Sequence, residues 1–216
     1  MPEPAPFSAE DFRRRVVTRL VPDRGAAAGD HLLSPDAADL FLKIEQRPAA
    51  VLVPVIRREP EATVLFTLRT SELHAHAGQI SFPGGRIDPD DADPTAAALR
   101  EAFEEIGLKS DCVETLGLGP DYLAGSGYLI VPVLALVRPD FRLALNPAEV
   151  ADVFEVPLSF LMDPLNHRKG QRTWRGIDRT FFEMPFEDRH IWGITAGIVR
   201  VLYDRLYAEP MAEALP

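Results

Sequence analysis

Apolar positions along this chain recur with two different periods. Runs rich in β-branched residues, Ala49 to Ile56 and Thr63 to Leu68, flank the polar Arg57-Arg58-Glu59-Pro60 and predict strand, turn, strand. Leu129 to Val137 and Val153 to Val156 predict further strands, Thr180 to Phe186 another, and Pro157 to Met162 a turn of helix. Helical spacing governs three other segments. Ser8 and Asp11 form a capping pattern ahead of FRRRVVTRL, which predicts an amphipathic helix over about 9–20. Ile191 to Tyr207 reads as one packed helix, and a short helical patch is expected near Asp36 to Leu40. Between Arg69 and Gly85 a loop is expected, and the basic, polar stretch Asp163 to Asp178 predicts a mobile loop over the site.

A further helix, between Asp93 and Gly107, is the best punctuated. Asp93 is a natural N-cap, Pro94 suits the first helical position, and Gly107 suits the left-handed residue beyond the end, so the helix should cover about 94–106. Leu99, Ala102, Phe103 and Ile106 are assigned to its buried side, and Glu101, Glu104 and Glu105 to the opposite one. Carboxylates at i, i+3 and i+4 repel one another, and a hard divalent cation with oxygen ligands removes that penalty. Gly84-Gly85, just upstream, lets the backbone approach a phosphate or offer a carbonyl to a metal.

Composition narrows the function classes. With 216 residues and 46% hydrophobic content the chain suits one α/β domain, a core over about 49–207 with an N-terminal helical extension over about 1–48. A net charge of −10 excludes a general nucleic-acid binder. The single Cys112 excludes a disulfide framework and a Cys-rich zinc site, and it is expected to be a bystander. The longest apolar stretch, Tyr128 to Val137, is interrupted by Pro132 and is too short to span a bilayer. No secretory signal is read at the start, so a cytoplasmic protein without a membrane partner is expected, with a homodimer left open.

Gly85, then Asp91, then Arg100-Glu101-Ala102-Phe103-Glu104-Glu105-Ile106-Gly107-Leu108 resembles the Nudix box, G-x5-E-x7-R-E-U-x-E-E-x-G-U with U aliphatic. Two departures stand out: Asp91 replaces the usual Glu, and eight residues rather than seven separate it from Arg100. Upstream, Arg69-Thr70-Ser71-Glu72-Leu73, His76, Gly78 to Phe82 and Pro83-Gly84-Gly85 are similar to the signature of the coenzyme A pyrophosphatase branch, which shares both departures. Further similarity lies in Ser126-Gly127-Tyr128, Glu149 to Phe154, Val156-Pro157-Leu158 and Trp192 to Ala196, so the likeness covers about 49–200.

That resemblance implies a Nudix α/β/α sandwich with a mixed β-sheet and a Mg²⁺- or Mn²⁺-dependent hydrolase of a phosphoric anhydride. The implied substrate is coenzyme A or its thioesters, yielding 3′,5′-ADP and 4′-phosphopantetheine or its acyl form. Metal ligands are expected at Glu101, Glu105, Glu104 and the Gly84 carbonyl. Arg100 is expected to hold the glutamates, and Arg69, His76 and Gly85 to meet the substrate. Glu104 and Glu149 are both candidates for the general base. Arg57, Arg58 and Arg86 are expected to be ordinary surface charges, and His190 to cap or pack the last helix. His74 and His76 lack a third ligand for zinc. A different substrate, such as ADP-ribose, NADH or a dinucleotide polyphosphate, would need no pantetheine arm or 3′-phosphate. A non-catalytic Nudix binding module should have lost box carboxylates, and all three helix glutamates are present.

Overall fold

The near-continuous apolar runs predicted as strands have both faces covered, which places them at the centre of a sheet. A computed structural model of the chain describes residues 3–20, 27–71, 78–174 and 176–209, with the side chains of residues 36, 37, 40, 174 and 177 outside the description. In chain order the elements are α1 (Ala9–Arg19), β1 (Ala28–Gly29), α2 (Asp30–Leu33), α3 (Pro35–Lys43), β2 (Arg47–Ile56), β3 (Thr63–Arg69), β4 (Ile80–Ser81) and β5 (Gly84–Arg86). They continue with α4 (Pro94–Ile106), β6 (Val113–Leu118), β7 (Tyr122–Leu123), β8 (Tyr128–Val137), β9 (Val150–Pro157) and α5 (Leu158–Leu161). Last come β10 (Arg168–Trp174), β11 (Ile177–Phe186), β12 (Arg189–Trp192) and α6 (Ile194–Leu206).

Among the described residues, nine strands join one mixed sheet built on a parallel pair, β2 and β8, in register from Arg47↔Tyr128 to Ile56↔Val137. Side chains alternate between its faces. Leu52, Ile56, Val133, Ala135 and Val137 pack with Ala98, Ala102 and Ile106 of α4. Val53, Val55, Leu134 and Leu136 pack on the other side with Phe12 and Val16 of α1 and Ile198, Val199 and Leu202 of α6. This is the expected sandwich of helix, mixed sheet and helix. Burying a residue such as Ile106, fully buried here, contributes about 1.5–3 kcal/mol. Among the described residues no helix is long and apolar enough to cross a membrane.

The N-terminal helix is part of this core. Ser8 caps α1 by accepting from the Asp11 amide at 3.2 Å. Asp11, 1% exposed, binds Arg14 at 2.6 Å and Arg15 at 2.9 Å. Arg15 in turn donates to the Leu206 carbonyl at 3.1 Å, fastening α1 to the end of α6.

Four expectations need correction. The predicted mobile loop, 163–178, is largely the β10 strand of an antiparallel hairpin, and β10, β11 and β12 form a second sheet. The predicted helix 191–207 begins at Ile194, because Ile191 and Trp192 pair with β11 and Gly193 turns at φ +65°, where a side chain is strained. His190 therefore lies on β12, bonded to Glu183 at 3.0 Å, and does not cap the last helix. Phe103 is 56% exposed, whereas Glu105 is 2% exposed. The core stripe of α4 runs through Ala98, Ala102, Glu105 and Ile106, an i, i+4, i+7, i+8 face that Phe103 misses.

Candidate active site

The carboxylate helix is fixed at both ends. The Asp93 side chain accepts from the Ala96 amide at 2.8 Å, Pro94 opens the first turn, and Gly107 ends the helix with its N–H on the Phe103 carbonyl at 2.8 Å. The Gly-Gly segment is held against β2, with Gly84 opposite Val51 and Gly85 opposite Ala50, and with the Leu52 amide donating to the Pro83 carbonyl at 2.8 Å. Gly84 has φ +155°, and a Cβ there would meet the backbone of Ala50 and Val51. At Gly85 a Cβ would come within 2.5 Å of the Glu101 carboxyl carbon, so the missing side chain is the space the carboxylate occupies.

The three helix glutamates diverge in environment. Glu105 turns inward, accepting from the Gly84 amide at 3.2 Å and from Arg69 at 3.3 Å. Its burial outweighs those two contacts and pushes its carboxyl up to about 7. Glu101 is less enclosed, and burial raises its carboxyl above the ordinary range despite the Arg100 hydrogen bond at 2.9 Å. Glu104, with its side chain 52% exposed, points outward to Arg100 at 3.0 Å.

Arg100 is the hub of the helix surface. It grips Asp91 in two-pronged fashion, Nε to Oδ1 at 3.1 Å and Nη2 to Oδ2 at 2.9 Å, and it also donates to the Arg86 carbonyl at 3.1 Å. The hydrogen bond to Asp91 is the largest reason its guanidinium is held firmly protonated, and the same bond holds the Asp91 carboxyl below the usual range. Asp91 also accepts from the Asp88 amide at 2.8 Å, closing the extra-length loop. Asp91 is thus placed as the anchor of Arg100.

Glu149 reaches the site from another element. The loop before β9 is tied to the helix end by the Asn146 amide on the Glu105 carbonyl at 2.9 Å, and the Asn146 side chain donates to Glu149 at 3.0 Å. The negative charge of Glu149 adds to the rise in the carboxyls of both Glu101 and Glu105, so it lies within electrostatic reach of both. Arg69 ends β3 where the register against β9 shifts, an irregularity that re-aims a side chain. Its buried Nε has no hydrogen-bond partner among the described residues. His76 lies outside the described residues, as do Glu72, Leu73 and His74.

A cleft of about 680 Å³ adjoins Gly84 and Gly85, within the ~300–1,000 Å³ range of small-molecule sites. Arg69 and Arg86 line its carboxylate end, and Arg172 and Arg179 line it from the hairpin. Tyr128 is also in the wall, with the Arg47 guanidinium 4.1 Å from its ring centre and Arg86 bonded to its hydroxyl at 3.4 Å. Arg86 is therefore a cleft residue rather than an ordinary surface charge, whereas Arg57 and Arg58 are ion-paired elsewhere, to Glu114 and Glu155. Arg172, Arg179 and Trp192 were not singled out for the site by sequence. Arg179 had alternation along β11 as its signal, which puts it on one face with Phe181, and Trp192 had the family similarity of the stretch it opens.

The donors suit a hard divalent cation of the Mg²⁺ or Mn²⁺ kind. Two carboxylates with raised pKa face one another across Gly85 and Gly84, carrying charge that their surroundings do not fully offset. Among the described residues no three His, Cys, Asp or Glu side chains gather as a metal-holding group. The fit is to an ion that one or two carboxylates would hold, and not to a closed protein cage.

Residues 46–175 match the NUDIX domain family. The chain is 40% identical over 175 residues to an uncharacterized Nudix hydrolase, NudL, of Cronobacter sakazakii, a match covering 77% of this chain and 86% of the relative. It is 37% identical over 167 residues to NudL of Escherichia coli K12, with the same two shares. Among solved structures it resembles RenU, a Nudix hydrolase from M. smegmatis, with TM-score 0.44 and 24% identity over 52% of this chain and 71% of that one. It also resembles the NUDIX domain of Shewanella oneidensis NrtR in complex with ADP ribose, with TM-score 0.41 and 21% identity over 56% and 83% of the two chains.

Proposed function

This chain belongs to the Nudix hydrolase family, enzymes acting on pyrophosphate bonds, and we propose that its substrate is coenzyme A or a coenzyme A thioester. The products are then 3′,5′-ADP and 4′-phosphopantetheine or its acyl form. The observation that carries this reading is the cleft. In a chain of net charge −10, four arginines line one cavity that begins at the Gly84–Gly85 segment. Local positive charge of that kind attracts a polyanion against the overall field. The upstream motif similarity, from Arg69 through Gly85, adds the coenzyme A branch.

In this reading Glu101 and Glu105 hold the divalent cation, which when bound neutralises diphosphate charge and lowers the pKa of water. Arg100 orients Glu101 and Glu104, and Asp91 anchors Arg100, so the helix face is set before substrate arrives. The Arg69 guanidinium, which lines the cleft, supplies a donor for a phosphate oxygen. Water adds to one phosphorus, and the bridging oxygen departs with the other phosphate, giving two phosphomonoesters. The proton lost by the water passes to Glu149 or Glu104. Glu149 is held by the Asn146 side chain, within electrostatic reach of Glu101 and Glu105, whereas Glu104 is paired with Arg100. The base is the one whose Gln variant removes the acid limb of the pH–rate profile. The lone Cys112 suits the reducing cytoplasm, where coenzyme A is met.

The test is to incubate the purified protein with coenzyme A, ADP-ribose and NADH, each with Mg²⁺, Mn²⁺ or EDTA, and to identify products by mass. Metal-dependent release of 3′,5′-ADP and 4′-phosphopantetheine from coenzyme A, absent in EDTA, is expected. Cleavage confined to ADP-ribose or NADH would keep the hydrolase and remove coenzyme A as its substrate.

A further inference from the structure

The cleft has a second cationic wall that the chemistry at Glu101 and Glu105 does not use. Arg172 on β10 and Arg179 on β11 are directly opposed across the antiparallel ladder. Opposed positions of such a pair project to the same face, and like charges there repel. Both arginines line the cleft on that face. Arg179 is braced from behind, its guanidinium carbon 4.5 Å from the Phe41 ring centre. A Cβ at Gly125 would meet Phe41 at 3.0 Å, Arg179 at 3.1 Å and Asp30 at 3.2 Å, so the bare glycine lets these three close up. Among the described residues that line the cleft, Asp30 is the carboxylate. It is already bonded to the Tyr122 hydroxyl at 2.6 Å and to the Gly125 amide at 2.8 Å. One carboxylate can offset one of two guanidiniums, and Arg172, which is exposed, has no ion-pair partner among the described residues. Arg172 therefore presents positive charge to the cavity, from a different sheet than the one that holds Gly84 and Gly85.

We propose that Arg172 and Arg179 form a phosphate subsite for a phosphomonoester on the ribose of the bound nucleotide, separate from the Gly84–Gly85 segment beside which the diphosphate is cut. The proposal rests on the coenzyme A reading in one respect, that coenzyme A carries such a group at its 3′ position. A dianion completes a fork of two guanidiniums in a way that one phosphate oxygen of a diester cannot. Phe181 lies on the same strand face as Arg179 and packs edge-to-face with Trp192 at 5.4 Å, giving the subsite an apolar flank. Nucleotides without the ribose phosphate leave Arg172 uncompensated, so this wall selects among diphosphates without taking part in the cut.

The experiment uses binding, so it does not depend on hydrolysis. The full chain is titrated calorimetrically with adenosine 3′,5′-bisphosphate and with adenosine 5′-monophosphate, as wild type, Arg172→Gln and Arg179→Gln. Wild type is expected to prefer the bisphosphate by roughly tenfold or more, the scale of a charge-assisted hydrogen bond to phosphate. In both variants the ratio of the two affinities should fall toward one. Arg172 is exposed on the hairpin, so its variant should keep the wild-type melting temperature even if Arg179→Gln loses its packing on Phe41. A wild-type ratio near one, or a ratio that survives Arg172→Gln in a folded protein, overturns the subsite. Cleavage of coenzyme A is scored separately. A bisphosphate preference that needs Arg172 in a protein inert toward coenzyme A would uphold the subsite and remove the substrate reading.

Discussion

Replacing Gly85 by Ala separates catalysis from folding at the centre of the site. The added Cβ would lie 2.5 Å from the Glu101 carboxyl carbon and one of its oxygens, and 2.6 Å from the other. Ordinary contact begins at 3.4 Å, so the carboxylate must retreat by 3.4 − 2.5, about 0.9 Å. Glu101 is a flexible side chain and can move, but its 2.9 Å bond to Arg100 does not survive that displacement. Stability should change little. Gly→Ala at a compatible backbone position contributes about 0.4–1 kcal/mol through the unfolded state, which offsets a partly exposed ion pair of ~0.2–1 kcal/mol. A shift near 1 Å in a catalytic constellation costs on the order of 100-fold in rate. The expected result is a loss of that size in kcat/KM with a melting temperature close to wild type. Gly84→Ala makes the contrast, because its Cβ meets backbone atoms of Ala50 and Val51 at φ +155° and neither can yield. That variant should lose on the order of 3 kcal/mol or more in urea unfolding. A folded Gly85→Ala protein keeping more than a third of wild-type kcat/KM would refute the position assigned to Glu101.

Glu105→Gln should fold normally and reduce turnover by orders of magnitude, since it removes a ligand charge; near-normal turnover would dismiss Glu105 from the site. Without metal, Glu105 also sets a pH dependence. Its folded pKa of about 7 exceeds the ordinary 4.5, so its contribution is fully present below pH 4.5 and is lost as pH rises through 7. The loss is on the order of 3 kcal/mol. Urea unfolding in EDTA at pH 5 and pH 8 should show the fall in wild type and a flatter response in Glu105→Gln; parallel curves would contradict the buried, weakly compensated carboxyl. Mn²⁺ affinity should rise with pH up to about 7 and then level, with proton release measurable by calorimetry in buffers of different ionisation enthalpy. Asp11→Ala leaves Arg15 without its carboxylate and should cost about 1.5–3 kcal/mol. The folded fraction should stay active, and a purely additive N-terminal helix would show no such loss.

Where local chemistry decided the outcome, the sequence was readable. Asp93, Pro94 and Gly107 mark the bounds of α4 because caps act within one turn, and the runs at Ala49–Ile56 and Leu129–Val137 mark the central strands because both faces are buried. The hairpin was not readable as strands. Arg168 to Trp174 has one apolar side chain, Trp174, and residues 168, 169 and 171–173 are exposed, so the alternation that announces a strand is missing. The split at Gly193 was hidden for the opposite reason: apolar residues continue through it, and only pairing of Ile191 with Met184 distinguishes strand from helix. At the site, the box residues gave the helix carboxylates, while the inward turn of Glu105 and the grip of Asp91 on Arg100 depend on loops brought in from elsewhere. Spacing along a helix does not report which of three adjacent glutamates will be buried.

The two walls of the cleft belong to different sheets. The scissile end is set by β2, β5 and α4, whose caps, glycines and ion pairs leave little freedom to vary. The opposite wall is a hairpin whose cleft-facing side chains carry no part of the central core. Mutational drift in that hairpin can alter which molecules are admitted while the hydrolytic apparatus stays untouched. New preferences can therefore arise by trading surface side chains on one ribbon, and a designer seeking to retarget the enzyme has a region to rewrite that is decoupled from its chemistry.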